Sequence, residues 1–157
     1  MDRKNRRTEG FSLIELLVVI AIILIIMGMA IPRVHEAQIQ TREAGAIKAI
    51  TTIHTAQAQY QSQYGGFAST LLELGPPASG LPNASGADLI SAGLASGQRS
   101  GYKYNLLPAE GGYVLTASPV AFNNTGRRSF YSDQSLIIRH SSTIEPATAS
   151  SPEIDAR

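Results

Sequence analysis

The chain contains no cysteine and no tryptophan. It therefore has no disulfide frame, no thiolate nucleophile and no cysteine-ligated metal site, a composition compatible with an exported protein. A basic excess is missing as well. Net charge is +1, and Arg3, Lys4, Arg6 and Arg7 all fall within the first ten residues. Beyond residue 10, nine basic residues face ten acidic ones, which removes the positive surface a nucleic-acid partner needs. No P-loop, nucleophile elbow or dinucleotide fingerprint occurs. At 157 residues there is room for one modest core besides any membrane segment.

What the chain does have is one long apolar run. From Phe11 to Ile31 the only ionisable residue is Glu15. The twenty residues from Phe11 to Ala30 make about 30 Å of helix, one bilayer core. A single segment can satisfy its backbone in hydrocarbon only as a helix. The basic cluster before it predicts a cytoplasmic N-terminus and an exported remainder. A cleaved secretory signal is disfavoured. Its apolar region would be about 7–15 residues with a small-residue cleavage site, whereas this run is longer and ends at "MGMAIPRV".

Glu15 has two readings. An acidic residue at a bilayer centre costs about 2.5–3.5 kcal/mol and less near an interface, so the carboxylate can simply snorkel to the cytoplasmic headgroups. Alternatively it pairs with a positive charge in an assembly. A chain cut before Phe11 would place a new α-amino group four residues from Glu15, and a neighbouring copy shifted along its axis could offer that amine.

The stretch "GFSLIELLVVIAIILIIMGMAIP", from Gly10 through Phe11, Ser12, Leu13, Ile14 and Glu15 to Pro32, resembles the N-terminus of type IV pilins and type II secretion pseudopilins. The resemblance implies cleavage between Gly10 and Phe11 by a prepilin peptidase, N-methylation of Phe11, and polymerisation through the apolar helix. Gly10 would admit the peptidase's catalytic carboxylates, and Glu15 would be the pairing residue between subunits. It also implies inner-membrane residence before assembly, a periplasmic or cell-surface filament after it, and an assembly machine with its own ATPase.

Residues 1–10 read as the basic leader, 11–31 as the membrane or filament-core helix, and 32–64 as its amphipathic continuation. Pro32 should bend or loosen the helix after Gly28 and Ala30, as membrane exit or as the flexible stretch of a pilin. Ala46, Ile50, Ile53, Gln57, Tyr60 and Tyr64, with Ile47 beside them, form one helical face, and Gly65–Gly66 ends the helix. Glu36, Arg42, Glu43 and Lys48 read as the solvated face. Residues 65–100 are a turn-rich variable region with short helices at Thr70–Leu74 and Ala87–Leu94. Over 101–140 the period becomes two. "YKYNLLP", "GYVLTASP", "RSFYSD" and "SLIIRH" predict four strands of an antiparallel meander, with turns at Pro108–Gly112, Asn123–Gly126 and Asp133–Ser135. Pro119 should close the second strand. Tyr104, Leu106, Val114, Leu115, Phe130 and Ile137 are the expected sheet core. Residues 141–157 are expected to be disordered. The fold class is α+β: a long N-terminal helix packed on a small sheet, pilin-like.

His35, His54 and His140 are too scattered to suggest ligands or catalysis. The sequons at Asn83 and Asn123 are uninformative. Pseudopilins of this size bind calcium through an acidic C-terminal loop, but "AFNNTGRRSFYSDQ" offers Asp133 beside Arg127 and Arg128, a poor calcium site unless backbone carbonyls contribute. No cofactor, metal or enzymatic activity is expected. The expected function is that of a structural subunit of a type IV pilus or pilus-like filament. The alternatives are a type II secretion pseudopilin or a signal-anchored monomeric binding protein.

Overall fold

The computed structural model describes residues 11–154. Its first element, α1, spans Leu13–Tyr64, and the helix continues through Pro32. The chain divides after Ala37 into two compact units. In the first, every side chain from Phe11 to Met29 is exposed. The second unit, from Gln38 onward, holds the folded core.

Within that unit α1 buries the expected stripe: Ala46, Ile50, Ile53, Gln57 and Tyr60, joined by Ala49 and Ala56. Tyr64 lies beyond the core and is exposed. Gly65 ends the helix in the left-handed region (φ 81°), and its N–H donates to the Gln61 carbonyl at 2.9 Å. Buried Gln57 then ties down the turn that follows. Its amide donates to the Ala68 carbonyl and accepts from the Ala68 N–H, both at 2.9 Å.

Helix α2, Leu71–Leu74, is set by a capping box. Thr70 Oγ1 accepts from the Glu73 N–H, while the Glu73 carboxylate accepts from the Ser69 N–H at 2.8 Å. The second short helix is shorter than expected. Only α3, Ala92–Ala95, is helical, because Ala87, Leu89 and Ile90 give their N–H groups to carbonyls of Glu73 and Leu74 instead of to a helix of their own.

Five strands follow: β1 Gln98–Arg99, β2 Tyr102–Ala109, β3 Gly112–Pro119, β4 Ser129–Asp133 and β5 Arg139–Ser141. They pair antiparallel in sequence order. Tyr104, Leu106, Leu115 and Phe130 are buried as expected. Two expectations fail. Val114 cannot share a face with Leu115, since neighbours on a strand point oppositely, and it is half-buried while Tyr113 is buried in its register. The last strand starts late. Asp133 Oδ1 accepts from the Ser135 N–H and Leu136 takes φ 65°, so the chain turns through 134–138 and leaves Ile137 39% exposed.

The tail is also ordered, through residue 154. The Ser129 hydroxyl accepts from the Ala147 N–H at 2.9 Å, and Arg139 holds the Ser151 carbonyl and the Glu153 carboxylate, each at 3.0 Å. His140 N–H donates to the Pro152 carbonyl, and Ile154 N–H to that of Ile138. The tail thus covers the β5 edge, whose unpaired backbone groups would otherwise face water or another chain.

Candidate assembly segment and the latches behind it

The residues expected to carry function lie on the first turns of α1. Gly10 falls outside the described residues. Phe11 precedes the helix and is 81% exposed. The Ser12 carbonyl accepts from the N–H groups of Glu15 (3.1 Å) and Leu16 (3.2 Å), which fixes the helix start one turn before Glu15. The Ser-x-x-Glu spacing, and the positive end of the helix dipole, locally favour a carboxylate at this position. Around Glu15 the apolar side chains Leu13, Ile14, Leu16, Leu17, Val18 and Val19 all face outward. This half of α1 is long and apolar enough to cross a membrane. Pro32 lies within α1.

Inside the second unit the structure assembles two polar contacts that link α1 to β4 and to the loop before it. Glu43, expected on the solvated face, is only 5% exposed. Its carboxylate accepts from the Arg127 N–H at 2.8 Å and from Arg128 Nε at 2.7 Å. Next to it, Arg42 donates to the Asn124 carbonyl at 3.3 Å. A faint signal was present in the sequence: Glu43 lies three residues before Ala46, so it extends the 3-4 stripe by one step. Its partners, more than eighty residues away, carry none. Tyr102 completes this corner. Its hydroxyl donates to the Arg128 carbonyl, and burial, followed by the Glu43 charge, pushes its pKa up. The close approach requires Gly126, because a Cβ there would collide with the Tyr102 hydroxyl.

The second contact joins His54 to Ser132. The Ser132 hydroxyl, fully buried, donates to the Ile137 carbonyl at 2.8 Å and lies 2.9 Å from His54 Nε2. With its proton committed to Ile137, Ser132 accepts from His54, which fixes the imidazole as the Nε2–H tautomer. Burial lowers the His54 pKa, with the Asp133 charge opposing. Ser132 is fully buried and His54 is largely so. His35 is exposed and His140 half-buried, and no cluster of three metal-ligating side chains occurs among the described residues.

Comparison with known proteins bears on the first segment. Residues 5–31 match the prokaryotic N-terminal methylation motif. The type IV major pilin protein PilA of Myxococcus xanthus (strain DK1622) is 33% identical over 75 residues, covering 48% of this chain and 34% of the pilin. The chain thus spans about a third of that relative's length in the match. No solved structure matches.

Proposed function

We propose that this chain, whose residues 5–31 match the prokaryotic N-terminal methylation motif, is a structural subunit of a type IV pilus or pilus-like filament. In this reading a prepilin peptidase cuts between Gly10 and Phe11, Phe11 is N-methylated, and the apolar half of α1 passes from the inner membrane into a filament core. The observation that carries the reading is Glu15, the single ionisable residue in the exposed apolar half of α1. Four residues, about 6 Å at helical rise, separate it from the new amine, so within one subunit the two charges are offset along the axis. A subunit displaced along its axis brings its amine against a neighbour's carboxylate, and both charges are neutralised where desolvation is most costly. Assembly is then the function, driven by a separate machine, and Pro32 marks the passage from core helix to the exported unit.

Mass spectrometry of the N-terminal peptide from protein made in its native host tests the processing. A peptide beginning at methylated Phe11 is expected, and an intact Met1 terminus would favour a membrane-anchored monomer. Glu15→Ala should still insert into the membrane, because it removes a polar residue, but should lose at least ten-fold in sheared filament yield. Wild-type yields from that variant would refute the pairing.

A further inference from the structure

The second unit is electrically neutral overall, with seven basic and seven acidic side chains from Gln38 to Ile154, yet apart from Lys48 and the Arg139–Glu153 pair between them the two signs are separated along it. At the Gln38 end of α1 lie Arg42, Arg127 and Arg128, brought together through Glu43 and Asn124. Arg99 and Lys103 join them. Arg99 pairs with Tyr102, whose hydroxyl reaches the Arg128 carbonyl, and the adjoining Gly101 lies against Arg42. The acids at this end are Glu43 and Glu145.

The Tyr64 end is the reverse. Glu73 caps α2 beside Gln57 and Tyr60. Asp88 follows on the strand of loop that bonds to Gly75, Glu110 sits in the β2–β3 turn, and Asp133 lies beyond Ser132 at the level of His54. From Ala49 to Gln98 the sequence has no lysine or arginine at all. The two scales agree on this polarity. Glu43 to His54 is eleven helical residues and Arg128 to Asp133 five strand residues, each about 16 Å.

From Arg42 to Tyr60 is about 27 Å of helix, roughly three Debye lengths at physiological salt, so the two ends of one unit do not neutralise each other. Each end also exposes apolar side chains: Leu72, Leu81 and Leu107 at the acidic end, Val120 and Ile144 at the basic end. We infer that these ends form a head-to-tail interface, in which the basic end of one copy seats on the acidic end of a second copy of this chain. A contact between two different surfaces of the same molecule is heterologous, and it runs on as an open filament wherever its rotation does not close into a ring. The inference rests on the filament reading above and names how successive exported units meet. Charge complementarity fixes their order and suppresses the head-to-head arrangement, in which like charges would face.

The absence of cysteine makes the test direct. The full-length chain carrying Lys103→Cys and Glu110→Cys is produced in its host, and membranes and sheared filaments are treated with a bismaleimide crosslinker. The two positions lie at least about 20 Å apart along β2, too far to join within one copy. A ladder of multimers from the double variant, with nothing beyond dimers from either single variant, is the expected result. In parallel, Lys103→Glu should lower filament yield at least ten-fold at an unchanged membrane level, and adding Glu110→Lys to that chain should restore it. Restoration by the swap supports the inference even without a ladder. Filaments that give no ladder and ignore Lys103→Glu overturn it, as does a ladder in filaments whose yield ignores the charge reversal. If the wild type forms no filament while the membrane protein still gives a ladder, the filament reading fails and the end-to-end contact stands. If neither filament nor ladder appears, both fall.

Discussion

Replacing Glu43 by alanine removes the one acceptor that serves both the Arg127 N–H and Arg128 Nε, at 2.8 and 2.7 Å. The carboxylate is almost fully buried, whereas the Arg128 side chain is about a third exposed, so the two bonds differ in value. Removing one partner of a fully buried ion pair costs about 3–5 kcal/mol. Water can reach Arg128 and satisfy part of its loss, which lowers the expectation to about 2–4 kcal/mol. At about 4 °C per kcal/mol for a unit of this size, the melting temperature should fall by about 8–16 °C. Glu43→Gln keeps an oxygen for the Arg127 N–H but loses the charge facing Arg128, and should cost about 1–2 kcal/mol. The assay is thermal and urea unfolding of the full-length protein in detergent, followed by the near-ultraviolet signal of the tyrosines, all of which lie in the second unit and none in the apolar half of α1. A Glu43→Ala loss below about 1 kcal/mol, or equal losses for Ala and Gln, would refute the reasoning that this contact clamps α1 to the β3–β4 loop.

The remaining predictions concern other contacts of the same unit. Burial lowers the folded-state pKa of His54 below its ordinary 6.5, so the unfolded chain binds more protons in that window. Stability should therefore be full above pH 6.5, decline as pH falls through the lowered pKa and level off below it; His54→Gln should flatten that limb of the pH–stability curve measured by urea titration. Gly126→Ala places a methyl against the Tyr102 hydroxyl and should destabilise by about 2 kcal/mol or more, with Tyr102→Phe on the same chain recovering part of the loss. The Tyr113 hydroxyl is buried with no partner among the described residues, and burial pushes its pKa up to about 12. Tyr113→Phe should be neutral or stabilise by about 1 kcal/mol, and a clear destabilisation by thermal unfolding would show that the hydroxyl has a role.

How much of this could be read without coordinates depends on the distance over which each feature is decided. The stripe from Ala46 to Tyr60 was legible because a helix repeats its faces every three or four residues, and Gly65 was legible as its end because only glycine takes φ 81° without cost. The β2–β3 hairpin followed from alternation and from the turn expected at Pro108–Gly112, which the structure narrows to Glu110–Gly111. The last strand did not, since "SLIIRH" alternates no better than a loop and Asp133 diverts it by capping Ser135. The ordered tail was missed for a related reason. Its composition is that of disordered chain, but the β5 edge gives its backbone partners that composition cannot reveal.

By itself, the sequence determined the membrane-length helix and the position of its one carboxylate, because both depend on neighbours within about two turns. Only the tertiary structure decided that Glu43 is buried, that Ser132 fixes the tautomer of His54, and that cations and anions collect at opposite ends of a neutral unit. Those features depend on residues 78 to 85 positions apart being brought together. No local periodicity encodes such distances; packing the helix on the sheet sets them.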